Sequence, residues 1–318
     1  MRIHHHPQSN ASNPAATTPW RIAVTGSSGL IGGRVVTRLT EAGHTVHPLV
    51  RRDPRPDSDE IRWDPDDGLV DAQSLAGIDA VVHLAGENVA SGRWTTARKA
   101  AIRDSRVVGT TLLTQCLTAL NPPPKVFVAA SAIGFYGDRG DEILTAASTP
   151  GQGFLSDVAR QWEAATRPAA DAGVRVVNLR IGVVLTKEGA ALARMLPPFR
   201  RGVGGRIGTG RQYMSWISHQ DVVRSIAFAL TCDNLSGPVN ATAPNPVTNN
   251  ELTKVLGAAL GKPTPFPVPA IAIRLALGEL GRALLLSSTR VHPARLTIAG
   301  FHFHDPHLAT FLQSELQP

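Results

Sequence analysis

Cysteine is scarce in this chain of 318 residues, which carries only Cys116 and Cys232. Neither thiol stands at the spacing of a metal-binding motif, and the two together form no disulfide pattern. We therefore expect both to behave as small buried apolar side chains in a reducing compartment. The sequence predicts a cytoplasmic protein without a metal site.

Long apolar runs and long basic runs are also lacking. The longest apolar candidate, residues 268–286, is broken by Arg274, Glu279 and Arg282, and it predicts an amphipathic helix, not a membrane span. The formal net charge of +7 comes mainly from dispersed arginines with few aromatic residues among them. This pattern favours isolated phosphate contacts, so we expect neither a membrane nor a nucleic acid as partner. A basic nucleic-acid binder is the third functional hypothesis, and it rests on charge alone.

Residues 1–20 differ in composition from the rest of the chain. They are rich in Asn, Ser, Thr, Pro and Ala and contain His4-His5-His6. This composition predicts a disordered extension, or a leader left by cloning, in preference to a metal site. No apolar core follows the first positive charge, so no secretory signal is predicted, and a single arginine before Arg21 makes a weak case for a transit peptide.

The most informative segment runs from Ile22 to Gly32 and reads IAVTGSSGLIG. Gly26 is expected to permit a sharp turn, Gly29 a close approach to a pyrophosphate, and Gly32 tight packing of the next helix. A flexible turn is the alternative, but the apolar run before the glycines and the amphipathic stretch after them favour a dinucleotide fold. The free N–H groups and dipole at the start of that helix attract phosphate. The predicted cofactor loop comprises Gly26, Ser27, Ser28, Gly29, Leu30, Ile31 and Gly32.

The residues after the second predicted strand favour NADP(H) over NAD(H). The commonest dinucleotide fingerprint, G-x-G-x-x-G, is followed about 20 residues later by an acidic residue that binds the ribose hydroxyls. Here the pattern is G-x-x-G-x-x-G, and Arg51 and Arg52 follow the strand predicted at 45–50. Guanidinium groups bind a 2′-phosphate through charge-assisted hydrogen bonds, whereas a carboxylate repels it. A solvated basic turn is the alternative, because a polar, proline-rich loop comes next.

Strand-like and helix-like runs alternate along the first half of the chain. Strands are predicted at 22–25, 45–50, 79–84, 125–130 and 174–180, and helices at 30–42, 95–120 and 154–172. This order predicts an α/β protein with a Rossmann-type, doubly wound parallel sheet. We assign residues 21–185 to the dinucleotide-binding core, completed by about 219–243. Residues 186–218 and 244–318 form a smaller, mainly C-terminal part that faces the substrate.

Four segments in succession resemble the extended short-chain dehydrogenase/reductases of the NAD-dependent epimerase/dehydratase superfamily. They are the glycine loop, Asp79–Gly86, Ser131–Asp138 and Leu179–Leu185. Other segments are similar to the atypical, epimerase-like family 39U: HLAGEN at 83–88, RW at 93–94, DSR at 104–106, GTGRQYMSWI at 208–217 and AGFHF at 299–303. The resemblance covers about residues 21–316. It implies an NADP(H)-binding protein of the epimerase or oxidoreductase type.

The resemblance also implies where a cofactor lies. Leu84, Ala85 and Gly86 are expected beside its adenine and ribose, with a plain strand end and turn as the alternative. Glu87 and Arg106 are expected near it as well, with a local turn and a solvated helix charge as the alternatives. The loop after Arg180, which contains Gly182, is expected near the nicotinamide, and Ser131 and Arg180 are further cofactor-binding candidates.

The catalytic pair of short-chain dehydrogenases, Tyr-x-x-x-Lys, is absent from this sequence. The two tyrosines, Tyr136 and Tyr213, are followed four residues later by Gly140 and Ile217. An alignment on Glu163 puts Leu155 and Ala159 at the catalytic positions, and neither side chain carries a proton that it can transfer. Ser131 fits the serine that orients the substrate, with satisfaction of the loop backbone as the alternative. Tyr136 is the second catalytic candidate, with a packed ring as the alternative.

Other polar residues of the sequence are candidates for the active site or for a structural role. Ser156 and Arg160 have i, i+4 spacing, but a serine is a poor acid without a base. Asp221 is expected to cap its helix. A polar and aromatic substrate pocket is predicted from Arg211, Gln212 and Trp216.

These observations leave two main functional hypotheses. The first is an NADP(H)-binding epimerase or oxidoreductase with an altered acid–base system, acting on a small molecule such as a nucleotide sugar or a carbonyl compound. The second is a catalytically silent NADP(H)-binding module that reports redox state to a partner. A monomer or a homodimer is expected in either case.

Overall fold

The computed structural model describes residues 19–317. The predicted N-terminal extension lies outside the described residues, apart from Pro19 and Trp20. In chain order the strands are β1 (Arg21–Thr25), β2 (Thr45–Val50), β3 (Ile61–Asp64), β4 (Leu69–Val70), β5 (Ala80–His83), β6 (Val126–Ala132), β7 (Ile143–Leu144), β8 (Arg175–Ile181), β9 (Val183–Leu185), β10 (Tyr213–Met214), β11 (Trp216–Ser218), β12 (Gly237–Ala241), β13 (Val247–Thr248) and β14 (Arg290–Val291).

The helices alternate with these strands along the core and follow one another in the C-terminal region. They are α1 (Leu30–Glu41), α2 (Thr96–Ala119), α3 (Phe154–Ala165), α4 (Arg167–Asp171), α5 (Ala190–Arg200), α6 (His219–Thr231), α7 (Asn249–Ala259), α8 (Ala270–Gly281), α9 (Ala294–Ile298) and α10 (Leu308–Glu315). A 3-10 turn spans Ile133–Tyr136, and a short π-helical segment spans Arg282–Leu286. None of the helices in the described part of the chain is long and apolar enough to cross a membrane.

An eight-stranded sheet organises the molecule, in the order β12-β8-β6-β5-β1-β2-β3-β4. All neighbouring strands are parallel except β3 and β4, which are antiparallel. The direction of winding reverses between β1 and β5, and ligands of such sheets bind outside the carboxyl ends of the strands at that point. The predicted α/β fold with a doubly wound, mainly parallel sheet is confirmed.

Helices cover both faces of the sheet because its strands are apolar on both sides. On one face, Val35 and Leu39 of α1 pack in a core cluster with buried residues of α6. On the other face, Leu113 and Leu117 of α2 pack against Phe127 of β6. The central strands β1 and β5 are almost wholly buried between these layers, which fixes the position of the loops that follow them.

The sequence predicted most of these elements but missed one edge of the sheet. The helix expected at 154–172 is two helices, because the first ends at its C-cap residue Thr166 and a second begins at Arg167, with Pro168 in its first turn. The strands β3 and β4 were not predicted, because they lie within a polar, proline-rich region. Ile61 and Trp63 point inwards from β3 and are buried. Cys116 and Cys232 are free but only half-buried, so they are less enclosed than expected.

Several elements after β8 form a second core beside the sheet. Buried residues of α5, α7 and α10 make one cluster with Leu185 and Trp216. The C-terminal segment then returns to the main core, where Leu296 and Phe301 pack with the sheet and α6. The short pairing of β14 with β7 attaches this segment to the loop after β6.

Candidate functional site

A cleft of about 720 Å³ opens at the carboxyl edge of the sheet, at the point where its winding reverses. Three chain segments line this cleft: the glycine loop, the end of β2 with the region that follows it, and the loop after β5. Helix residues complete the lining, namely Gly33 and Val36 of α1 and Ser105 of α2. The predicted residues that it brings together are Gly26, Ser27, Ser28, Gly29, Arg51, Arg52, Leu84, Ala85, Gly86 and Glu87. Leu30, Ile31 and Gly32 form the start of α1 directly behind the glycine loop.

The glycine loop is shaped by two close backbone contacts. Gly26 has φ +67°, and a Cβ on it would stand 2.8 Å from the carbonyl carbon of Leu84. A Cβ on Gly32 would stand 2.1 Å from the carbonyl oxygen of Gly26. Glycine is therefore required at both positions, for the turn and for the packing of α1 on it. Gly29 precedes α1 without any side-chain cap, so the first N–H groups of the helix face the cleft region uncapped.

A buried hydrogen-bond chain holds the loop after β5 against the glycine loop. The hydroxyl of Thr25 accepts the N–H groups of Leu84 and Ala85, at 3.1 and 3.2 Å. It lies 2.7 Å from His83 Nδ1, and His83 Nε2 lies 2.9 Å from the hydroxyl of Thr110. Because Thr25 already accepts two bonds, its own proton goes to Nδ1, which leaves the ring proton on Nε2. Burial lowers the pKa of His83 to about 4, so the ring is neutral.

The contributions of Thr25 and His83 were not recognised in the sequence, although a signal was present. Both are polar residues at the ends of otherwise apolar strand segments. They face each other in the register of β1 and β5. Polar residues that end two adjacent buried strands are expected to bond to one another, because an unpaired polar group in the core is costly.

Arg106 holds the loop after β5 in place through contacts with Gly86 and Glu87. Arg106 donates to the carbonyl oxygen of Glu87 at 2.9 Å and lies 5.0 Å from the ring centre of Trp162. Its guanidinium also packs against Gly86, where a Cβ would stand 3.2 Å from its central carbon. Burial lowers the pKa of Arg106 to about 10. The carboxylate of Glu87 pairs with Arg98 at 2.9 Å.

The arginines after β2 line the far end of the cleft. Arg52 pairs with the carboxylate of Glu60 at 2.5 Å, and Arg51 lies 3.6 Å from Asp66. Arg55, which the sequence did not single out, lines the cleft as well and also pairs with Glu60. The cleft therefore carries glycine backbone at one end and a group of guanidinium groups at the other.

Ser131, Tyr136 and Arg180 do not line this cleft but share a buried network around Glu163. The Ser131 hydroxyl donates to Glu163 Oε1 at 2.7 Å, and Arg180 donates to both carboxylate oxygens at 2.7 and 2.8 Å. Arg180 also donates to the Tyr136 hydroxyl at 3.0 Å. That hydroxyl donates to Asn240 Oδ1 at 2.6 Å, and burial raises the pKa of Tyr136.

The helix α3 presents an apolar face to the end of β6. Leu155 packs on Gly134, where a Cβ would stand 3.1 Å from the Leu155 Cβ. Ala159 is buried one turn later, and Glu163 meets Ser131 after a further turn. This face is the one on which the alignment puts the Tyr-x-x-x-Lys pair. Ser156 and Arg160, at i, i+4 spacing, do not bond to each other. Ser156 donates to the Phe135 carbonyl, and Arg160 pairs with Asp157.

The three residues predicted for a substrate pocket lie in different surroundings. Arg211 lines a second, more open cleft of about 500 Å³, with Arg206 and Tyr213. Gln212 donates to the carbonyl groups of Ile207 and Leu285 and so ties the loop together. Trp216 differs from the expectation of an aromatic pocket wall: it is completely buried in the second core, where its ring stacks on Phe311.

Asp221 and Gly182 lie outside the cleft, and each has close contacts within the protein. Ser218, not Asp221, caps α6, because its hydroxyl accepts the N–H of Asp221. The Asp221 carboxylate is buried and accepts the N–H groups of His304 and Asp305. Gly182 lies against the chain before β11, where a Cβ would stand 2.7 Å from the Ser215 carbonyl oxygen.

Comparison with known proteins identifies clear relatives. Residues 22–241 match the NAD dependent epimerase/dehydratase family, and residues 268–315 match a domain of unknown function, DUF1731. The chain is 46% identical over 283 residues to the epimerase family protein Mb2239 of Mycobacterium bovis, covering 89% of this chain and 93% of that protein.

Solved structures resemble the chain over nearly its whole length. The human epimerase family protein SDR39U1, crystallised with NADPH, superposes with a TM-score of 0.83 at 33% identity, covering 93% of this chain and 98% of that one. A nucleoside-diphosphate sugar epimerase from Corynebacterium glutamicum superposes with a TM-score of 0.77 at 38% identity, covering 94% of this chain and 58% of that one.

Proposed function

The chain belongs to the NAD dependent epimerase/dehydratase family as an SDR39U1-like member, and we propose that it binds NADP(H) and acts on a small molecule. The observation that carries the proposal is that one cleft joins an uncapped helix start to a group of arginines. The human relative crystallised with NADPH supports the same choice of cofactor. When bound, this cofactor supplies hydride transfer.

The residues of the cleft fit NADP(H) along its length. The backbone around Gly26 and Gly29 has the close approach and the uncapped N–H groups that a pyrophosphate needs. The loop Leu84–Gly86 lines the middle of the cleft, beside which we place the adenine and ribose. Arg51 and Arg52 give the far end the positive charge that a 2′-phosphate requires.

The catalytic roles in this proposal follow from the buried network. The Ser131 hydroxyl donates its proton to Glu163, so it retains lone pairs with which to accept a hydrogen bond from a substrate. Tyr136 is completely buried, so we assign it a positioning role through Arg180. Glu163 and Arg180 stabilise each other and hold the carboxyl end of β6 next to α3.

The substrate class in this proposal is a nucleotide sugar or a carbonyl compound. Support comes from the family match and from the Corynebacterium glutamicum relative, which is described as a nucleoside-diphosphate sugar epimerase. A cytoplasmic monomer or homodimer completes the proposal, and the two free cysteines agree with a reducing compartment.

A second candidate function is a silent NADP(H)-binding module. The apolar face of α3 favours it, because Leu155 and Ala159 stand where an acid–base pair is expected and both pack against the protein. The two candidates agree on cofactor binding and differ only in turnover.

Two measurements distinguish the enzyme from the silent module. The protein is titrated with NADPH and then assayed with panels of nucleotide sugars and carbonyl compounds. Turnover of any compound supports the enzyme, and tight binding with no turnover across both panels supports the silent module. The variant Leu155→Tyr/Ala159→Lys then tests whether the missing pair alone prevents reaction, with Leu155→Phe/Ala159→Met as its control for bulk. If the protein binds neither NADPH nor NADH, both the enzyme and the silent module are excluded.

A further inference from the structure

The loop that follows β2 is built around one buried carboxylate. The side chain of Glu60 is only 5% exposed, although the residues around it lie at the surface. Its Oε1 accepts from Arg52 Nη2 at 2.5 Å and from Arg55 Nε at 3.1 Å. Its Oε2 accepts the backbone N–H of Arg55 at 2.9 Å, which closes the loop between the two arginines.

The two arginines remain open to the cleft while Glu60 holds them. Their side chains are 52% and 71% exposed, and both line the cleft. A guanidinium has five N–H donors. Arg52 commits one to Glu60 and one to the carbonyl of Asp53. Arg55 commits its Nε–H to Glu60, and its Nη2 lies 2.9 Å from the same carboxylate oxygen. About three donors on each remain for an anion in the cleft.

The neighbouring arginines are less suited to this task. The side chain of Arg51 makes no hydrogen bond to the described residues, and its contact with Asp66 is 3.6 Å long. Arg62 is paired on both sides, with Asp53 and with Asp64. A side chain that is already oriented loses less conformational entropy when it binds, so Arg52 and Arg55 are the better prepared pair.

We infer that Arg52 and Arg55 together bind the 2′-phosphate of NADP(H), and that Glu60 is the positioning residue that aims both guanidinium groups at it. This inference rests on the proposed binding of NADP(H). It adds Arg55 and Glu60 to the residues that determine cofactor specificity, and it gives Arg51 a minor part. The Arg52 guanidinium holds the pKa of Glu60 at about 2, so the carboxylate stays charged throughout the pH range in which the protein is assayed.

The test compares the dissociation constants of NADPH and NADH, measured by titration calorimetry on the full chain. Arg55→Ala is expected to weaken NADPH about 10-fold or more, because charged hydrogen bonds to the phosphate are lost, and to leave NADH within about 2-fold. Arg51→Ala is expected to change NADPH binding less than Arg55→Ala does. Arg167→Ala, an exposed arginine of α4 outside the cleft, controls for the change in net charge.

Glu60→Gln distinguishes positioning from simple charge. If charge alone mattered, removal of a carboxylate beside the phosphate would tighten NADPH. A positioning role predicts the opposite, a loss of about 3-fold or more in NADPH affinity with NADH unchanged. A thermal melt checks that Glu60→Gln is folded. Arg55→Ala changes an exposed side chain, so it tests the inference even if Glu60→Gln does not fold.

Three results would overturn the inference while leaving the proposed function intact. They are unchanged NADPH binding in Arg55→Ala, equal losses for NADPH and NADH in that variant, and tighter NADPH binding in Glu60→Gln. If the unmodified protein binds neither cofactor, the proposed function and the inference fall together.

Discussion

At the scale of the residue, single buried polar groups determine the local geometry of the site. His83 has no exposed surface and bonds on both sides to threonine hydroxyls. Through Thr25 it fixes the N–H groups of Leu84 and Ala85, which face the glycine loop. The imidazole can fill this place only in its neutral form, because a charged ring would have to donate from both nitrogens inside an apolar core.

The titration of His83 predicts a loss of stability in acid. Its pKa is about 4 in the folded protein and about 6.5 when unfolded, so the unfolded state binds more protons between these values. The free energy of unfolding therefore falls as the pH drops from about 6.5 to 4, by about 3 kcal/mol in all. Urea unfolding of the wild type and His83→Gln at pH 7 and pH 5 checks this. An equal drop in both proteins would show that other groups cause it.

At the scale of the element, the start of α1 depends on contacts that leave no room for a side chain. The helix has no side-chain cap at its N-terminus, unlike α6 and α7, which Ser218 and Thr248 cap. Its position is set by Gly32, which lies against the carbonyl of Gly26. The next residue, Gly33, is in the same helix but has space, since a Cβ there would stand 3.5 Å from the nearest atom.

These adjacent glycines give a matched pair of alanine variants with opposite expected effects. Gly32→Ala forces the glycine loop and α1 apart and is expected to destabilise the protein by about 1–3 kcal/mol. Gly33→Ala is expected to stabilise it by up to about 1 kcal/mol, because alanine is the better helix former. Chemical denaturation of both variants measures the difference. Equal stabilities would mean that α1 adjusts its position freely.

At the scale of the whole molecule, the C-terminal segment is part of the main core as well as of the second one. Leu296 of α9 is completely buried among residues of the sheet and α6. Asn240 at the end of β12 donates to the His292 carbonyl, and His292 donates its N–H to Leu144. The C-terminal segment and the main sheet are therefore joined by buried apolar contacts and hydrogen bonds.

This arrangement predicts that the protein unfolds in a single transition. Leu296→Ala should lower the free energy of unfolding by about 2–5 kcal/mol and shift the far-ultraviolet circular dichroism and tryptophan fluorescence curves together. Leu275→Ala on α8, where the side chain is 73% exposed, should change the midpoint little. Separate transitions for the two signals would show that the C-terminal region unfolds independently.

Much of the fold could be predicted because its signals are local in the sequence. The apolar runs at 22–25 and 45–50 predicted β1 and β2, and the glycine spacing predicted the tight turn between β1 and α1. The strand β3 was missed because Ile61 and Trp63 become inward-facing only when the chain pairs with β2. Arg55 was missed for a related reason, since nothing in a proline-rich loop indicates that a carboxylate five residues later will hold it.

The sequence by itself determined the Rossmann-type core and the absence of a Tyr-x-x-x-Lys pair, and it predicted NADP(H) as the cofactor, because each of these depends on residue type and short-range spacing. The tertiary structure decided which polar groups meet. Tyr136 bonds to Asn240 across 104 positions, and Ser131 meets Glu163 across 32. Trp216 is enclosed by a stacking partner 95 residues further along the chain, at Phe311. Such contacts arise only when distant strands and helices pack, because burial, not the local sequence, imposes a partner on each polar group.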